Sequence, residues 1–124
     1  MKASELAVGD WVMPLRKSIR KPCRVITIDG GTNTCWIDSD EYSGMLPCSE
    51  LERIPLTPEI LEKNGFHYND LPFVQSWEQF GLSLHLGGNG YRINCGQNVA
   101  IVIDSAHQLQ HALRLCGIEK EIVI

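Results

Sequence analysis

No apolar run in this chain exceeds the five residues from Val99 to Ile103, and the strand-length runs before it are punctuated by Gly, Pro and Asn. A membrane-spanning helix needs about 20 consecutive apolar residues, so none is expected. What remains is a chain of short strands and capped helices. The 124 residues, 44% of them hydrophobic and 21% charged, are enough for one compact body or two small ones packed together, and they lie outside the disordered range. The opening MKASELAVGDWV lacks the apolar stretch of a signal peptide, so the expected location is the cytoplasm.

Residues 1–54 read as strands. Trp11 to Leu15 follows Gly9-Asp10, Cys23 to Asp29 is rich in β-branched residues, Asp29-Gly30-Gly31 is a turn signal, and Thr34 to Asp38 returns. Met45 to Ile54 supplies a further strand, bent at Pro47. Short strands with one long early loop predict a small SH3-like antiparallel barrel, with a bare meander or an OB-like barrel as alternatives.

Around Pro55 the period changes. Thr57 is a good N-cap, Pro58 suits the first helical position and Asn64-Gly65 is a stop, which predicts a short helix over 57–64. Residues 67–79 are ambiguous, because Pro72 excludes a continuous helix while Trp77 and Phe80 look buried. Leu82 to Leu86, Tyr91 to Cys95 and Val99 to Ile103, joined by GGNG (87–90) and Gly96-Gln97-Asn98 turns, predict an antiparallel meander. Ala106, Leu109, Ala112, Leu113 and Cys116 recur at helical spacing up to Gly117, and Ile118 to Ile124 alternates as a final strand. The fold class is therefore α+β: a barrel over 1–54, then a 55–124 unit of short helix, antiparallel sheet and packed C-terminal helix, the two forming one body.

The net charge of -4 disfavours a large nonspecific grip on nucleic acid, yet Arg16, Lys17, Arg20, Lys21 and Arg24 fall in one stretch, with Asp38, Asp40 and Glu41 as an acidic counterpart. Pro22 makes that stretch a loop, one expected to contribute little to a core. Beside Trp11, Trp36 and Tyr42 it is the best binding candidate, since loops and exposed aromatics are what small barrels bind with. The plain alternative has the tryptophans plugging the barrel and the cations in solvent. Five cysteines without a C-x-x-C pair predict reduced thiols packed as small hydrophobes, with no disulfide framework.

The chemical motifs fail individually. HQLQH (107–111) has metalloprotease spacing, but Gln108 stands where the general-base Glu belongs, and His85 or Cys95 are only distant candidates for further ligands. Gly81 to His85 departs from a nucleophile elbow at its closing residue, and 38–49 lacks the Gly and Glu of a calcium loop. The GGNG turn joins strands, so its amides open no helix toward a phosphate. No enzyme, metal or cofactor is expected. His107, His111 and Arg114 run along one flank of the last helix as candidate contacts for a partner or a second copy, with ordinary solvation of a surface helix as the plain alternative.

Three segments, MKASELAVGDWV, IPLTPEILEKNGF (54–66) and AHQLQHALRLCGIEKEI (106–122), together resemble an uncharacterised family of small proteins found in gut Bacteroidales genomes and their prophages or other mobile elements. The resemblance implies a bacterial or phage cytoplasmic protein and brings no activity or catalytic residue with it. The expected function is that of a non-enzymatic protein-binding module whose partner the sequence does not identify. A nucleic-acid-binding accessory acting through the basic loop 16–24 is the alternative.

Overall fold

The computed structural model describes residues 1–71, 74–79, 82–87, 90–95 and 99–124. They divide into two compact units, Met1–Ile54 and Pro55–Ile124. Together they form a mixed α+β chain with two antiparallel sheets and a C-terminal helix. Among the described residues, no helix is long and apolar enough to cross a membrane.

The first unit holds β1 (Trp11–Pro14), β2 (Cys23–Asp29), β3 (Thr34–Asp38), β4 (Ser43–Pro47) and β5 (Leu51–Glu52), in the order β4-β3-β2-β1-β5. The β2–β3 hairpin forms where the sequence signals it. The Asp29 carboxylate accepts the Gly31 and Thr32 amides at 2.9 and 3.3 Å, and Asn33 takes the left-handed conformation at φ 53°. Strand alternation turns Val12, Cys23, Val25, Cys35, Ile37 and Leu46 inward, and with Cys48 and Leu51 they make the core.

The expected strand over 45–54 is cut in two. A 3-10 turn, Cys48–Glu50, follows Pro47, and β5 is left with two residues. The pairing ends at β4 and β5, which do not bond to each other, so the ladder does not close into a barrel. A strand that short has few groups to offer a closing neighbour.

The second unit contains α1 (Pro58–Lys63), a meander of β6 (His67–Leu71), β7 (Val74–Gln79), β8 (Leu82–Gly87), β9 (Gly90–Cys95) and β10 (Val99–Ile103), and α2 (Ala106–Leu115). Thr57 caps α1 as its residue type predicts, its hydroxyl accepting the Ile60 amide at 3.3 Å. The ambiguous 67–79 stretch is a hairpin. Tyr68 and Trp77 oppose each other across it with ring centroids 5.1 Å apart, a cross-strand aromatic pair that favours pairing; Pro72 lies outside the described residues. Of the expected GGNG turn, Gly87 and Gly90 pair as the ends of β8 and β9; residues 88 and 89, the Gly96-Gln97-Asn98 turn, the Gly81 position, Phe80 and the Cys95 side chain lie outside the described residues and side chains.

α2 ends as the sequence predicts. Gly117 takes φ 74°, and the Ile118 amide reaches back to the Leu113 carbonyl at 2.9 Å, closing a Schellman-type cap. At its start Ser105 takes the N-cap position, but its hydroxyl sits 3.1 Å from His107 Nδ1 and makes no cap bond.

Two expectations are corrected here. Residues 118–124 form no strand. Two buried side-chain amides take the place of a strand partner: Gln110 donates to the Lys120 carbonyl at 2.8 Å and accepts the Ile122 amide at 2.9 Å, while Asn64 both donates to and accepts from Val123 at 2.8 Å. The thiols are also not all reduced. Cys23, Cys35 and Cys48 are free, but Cys116 is disulfide-bonded.

Candidate functional site

In β3 the alternation that buries Cys35 and Ile37 leaves Trp36 on the outer face, 41% exposed. Register places Thr27 and Met45 on either side of it, and Met45 is 58% exposed. The Trp36 indole N–H donates to Ser43 Oγ at 3.1 Å, so the ring's one polar group is satisfied while its face stays open. A β-bulge between Val25 and Thr27 adds Ile26 to the exposed apolar residues of β2.

The next row across the sheet is Trp11, Arg24, Asp38 and Ser43. The Arg24 guanidinium lies 4.6 Å from the centre of the Trp11 ring, a cation–π contact, and in register with Asp38. Trp11 is thus partly shielded by Arg24, whereas Trp36 is not buried as a barrel plug. Tyr42 is half-buried, packing against the core, and its hydroxyl occupies the space a Cβ at Gly44 would need, 2.6 Å away. Any larger residue at 44 would move that ring.

The basic loop is stapled rather than free. Ile19 is buried in the core, contrary to the expectation that the loop contributes little to it. Apolar burial outweighs the loop's charge at that one position. Arg16 pairs with Glu50 at 3.3 Å, and Glu41 accepts the Arg20 backbone amide at 3.3 Å, bringing the acidic turn to the loop. Lys17, Arg20 and Lys21 are exposed. Burial raises the Cys23 thiol's pKa against the lowering by its hydrogen bond with Ser39, and the charges of Asp38 and Glu41 add lesser upward pushes.

Cys35 and Cys48 touch in the core. Burial first, then the neighbouring Cys48, pushes the Cys35 thiol from 9.0 up to about 12, which keeps it protonated and inert as a nucleophile at neutral pH. These thiols serve packing.

On α2 the expected contact flank divides. His107 is 2% exposed, so it presents no donor to a partner. Its ring meets that of half-buried His111 edge-on, with centroids 5.6 Å apart. Arg114 reaches Glu121 in the chain's own terminal segment at 3.5 Å. The buried face of this helix is wider than the apolar spacing indicates, extending over His107 and Gln110. Among the described residues, no group of three or more His, Cys, Asp or Glu comes together as a metal site.

Sequence reasoning missed Met45 and the two clamping amides. Each had a signal. Met45 sits two residues from Ser43 on the solvent side of β4, and Gln110 occupies the fourth position after Ala106, a slot that an apolar stripe ordinarily fills. No family model matches the chain, and searches of curated proteins and of solved structures return no match either.

Proposed function

We propose that the chain is a non-enzymatic protein-binding module that docks a partner's apolar side chains on Trp36 and Met45, on the outer face of its first sheet. The carrying observation is that these two large side chains stand side by side in register, both exposed, on a sheet whose other face already holds the core. A tryptophan left open in this way is the residue type most enriched in interface hot spots. Covering it would orphan no donor, because Ser43 already accepts the indole N–H. Arg24, Asp38 and the exposed cations of the loop supply a polar rim.

In the same reading the first unit is an open, SH3-like arrangement of strands. The strand order β4-β3-β2-β1-β5, the long connection between β1 and β2 and the 3-10 turn before β5 support it. The module is also read as a bacterial or phage protein of the cytoplasm, as the resemblance of its three segments implies. The Cys116 disulfide pulls against that location, since cytosolic thiols are kept reduced.

Nucleic-acid binding through the loop ranks second. Lys17, Arg20 and Lys21 favour it, but Glu50, Glu41 and Asp38 each lie against a basic residue or its backbone. Affinity capture from bacterial lysate with the wild-type, Trp36→Ala and Lys17→Glu/Lys21→Glu chains separates the two readings. The protein-docking reading predicts a captured polypeptide that is lost with Trp36→Ala, kept by the loop variant and insensitive to nuclease. Capture that ignores Trp36, or that nuclease abolishes, would contradict it.

A further inference from the structure

The terminal segment of the second unit is seated in an unusual way. Strands are ordinarily held by other backbones, but here Gln110 and Asn64, both 2% exposed, each use a carbonyl and an amino group on the main chain of residues 120–123. These contacts read only peptide groups, so they accept any extended segment. The side-chain requirement falls on Ile122, which is 1% exposed, while Glu119, Glu121 and Val123 point to solvent. Lys63 adds a bond to the Ile124 carbonyl at 2.9 Å.

The seat and its occupant are joined by Gly117, which has φ 74° and open space around its Cα. That residue is a natural pivot. A cleft of about 420 Å³, lined by Gln110, Arg114, Gly117, Ile118, Glu119 and Glu121, already separates part of the segment from α2. The Arg114–Glu121 pair that spans it is exposed, and such pairs hold weakly.

We propose that the Gln110/Asn64 seat is a binding site for an extended aliphatic peptide of a partner protein, and that residues 118–124 occupy it in cis as a built-in competitor. The seat would take a strand-like segment with one buried Ile-sized side chain flanked by solvent-facing residues, a form of main-chain recognition related to strand addition. This site lies in the second unit and does not depend on the Trp36 face. Because a tethered competitor acts at an effective concentration on the order of 1 mM, an external peptide meets a largely closed site in the wild-type chain.

The test uses the full chain and a fluorescein-labelled peptide of sequence IEKEIVI, with a scrambled peptide as control. Ile122→Lys evicts the tethered segment, and peptide affinity should rise about 100-fold over wild type. Adding Gln110→Leu to that variant should abolish the gain. A folded Ile122→Lys chain that binds the peptide no better than the scrambled control would overturn the proposal. Where Ile122→Lys fails to fold, wild-type chain with ~1 mM peptide replaces it: exchange of the Ile122 and Val123 amides should accelerate, and unchanged exchange would equally overturn the proposal.

Discussion

The two units solve one problem differently. In the first, each strand is paired with a neighbouring strand on at least one side, and the core beneath is filled with aliphatic side chains and thiols. In the second, the meander does the same, but the terminal segment is met by side chains, Gln110 and Asn64, drawn into the interior to serve as pieces of backbone. A ladder is regular and leaves a period in the sequence. An amide clamp is a pair of single residues and leaves none. The comparison teaches that buried side-chain amides can hold a segment that has no strand to lean on.

The largest effect should come from the face that α2 shares with its own unit. Leu113 is fully buried, so Leu113→Ala should destabilise the protein by ~2–5 kcal/mol in urea denaturation, a cavity cost that the polar clamp does not offset. A loss well under 1 kcal/mol would mean that α2 is held by its polar contacts, and the contrast between the units would fail.

Next is a difference in proton linkage. Cys35 in the first unit has its pKa raised by burial and by Cys48, so the unfolded chain loses that proton first as pH rises. Stability from this group is complete below the ordinary value of 9.0 and is lost as pH climbs towards about 12, at no more than ~1.4 kcal/mol per pH unit. The amides of Gln110 and Asn64 carry no titrating proton and add no such slope. Thermal denaturation of wild type and Cys35→Ala across pH 9 to 12 should show a shallower decline in the variant; parallel declines would remove Cys35 from the account.

How much was legible follows the same division. β2, β3 and β10 were visible with their ends, because short runs rich in β-branched or apolar residues and bounded by turn residues mark strands of that length. The caps of α1 and α2 were visible because Thr57, Pro58 and Gly117 each do a local job. The β6–β7 hairpin was hidden because HYNDLPFVQSWEQ is polar and interrupted by Pro72; its pairing rests on the nonlocal Tyr68–Trp77 contact. Residues 118–124 were misread because alternation shows that a segment is extended and not what it is bonded to. At the candidate site, Trp36 was legible as an aromatic in a strand. Its exposure depended on register with Met45, and the burial of His107 depended on how far α2 sinks into its unit.

The smallest effect separates neighbours within the basic loop. Arg20→Glu/Lys21→Glu should change stability by no more than ~0.5 kcal/mol, because both side chains are exposed. Ile19→Ala, one residue away, should cost several times that, on the order of 2 kcal/mol, since Ile19 belongs to the core. Equal costs in urea denaturation would show that the loop packs through its charges, and the docking reading would lose its polar rim.

Amide hydrogen exchange tests the comparison most directly. In the wild-type chain the Ile122 and Val123 amides should be protected although they lie in no strand, since Gln110 Oε1 and Asn64 Oδ1 accept them at 2.9 and 2.8 Å. Gln110→Leu should strip protection from Ile122, and Asn64→Leu from Val123, with the β2–β3 amides of the first unit unchanged in both. Protection at Ile122 and Val123 that survives both substitutions would contradict the account, because the terminal segment would then be held by something other than the two buried amides.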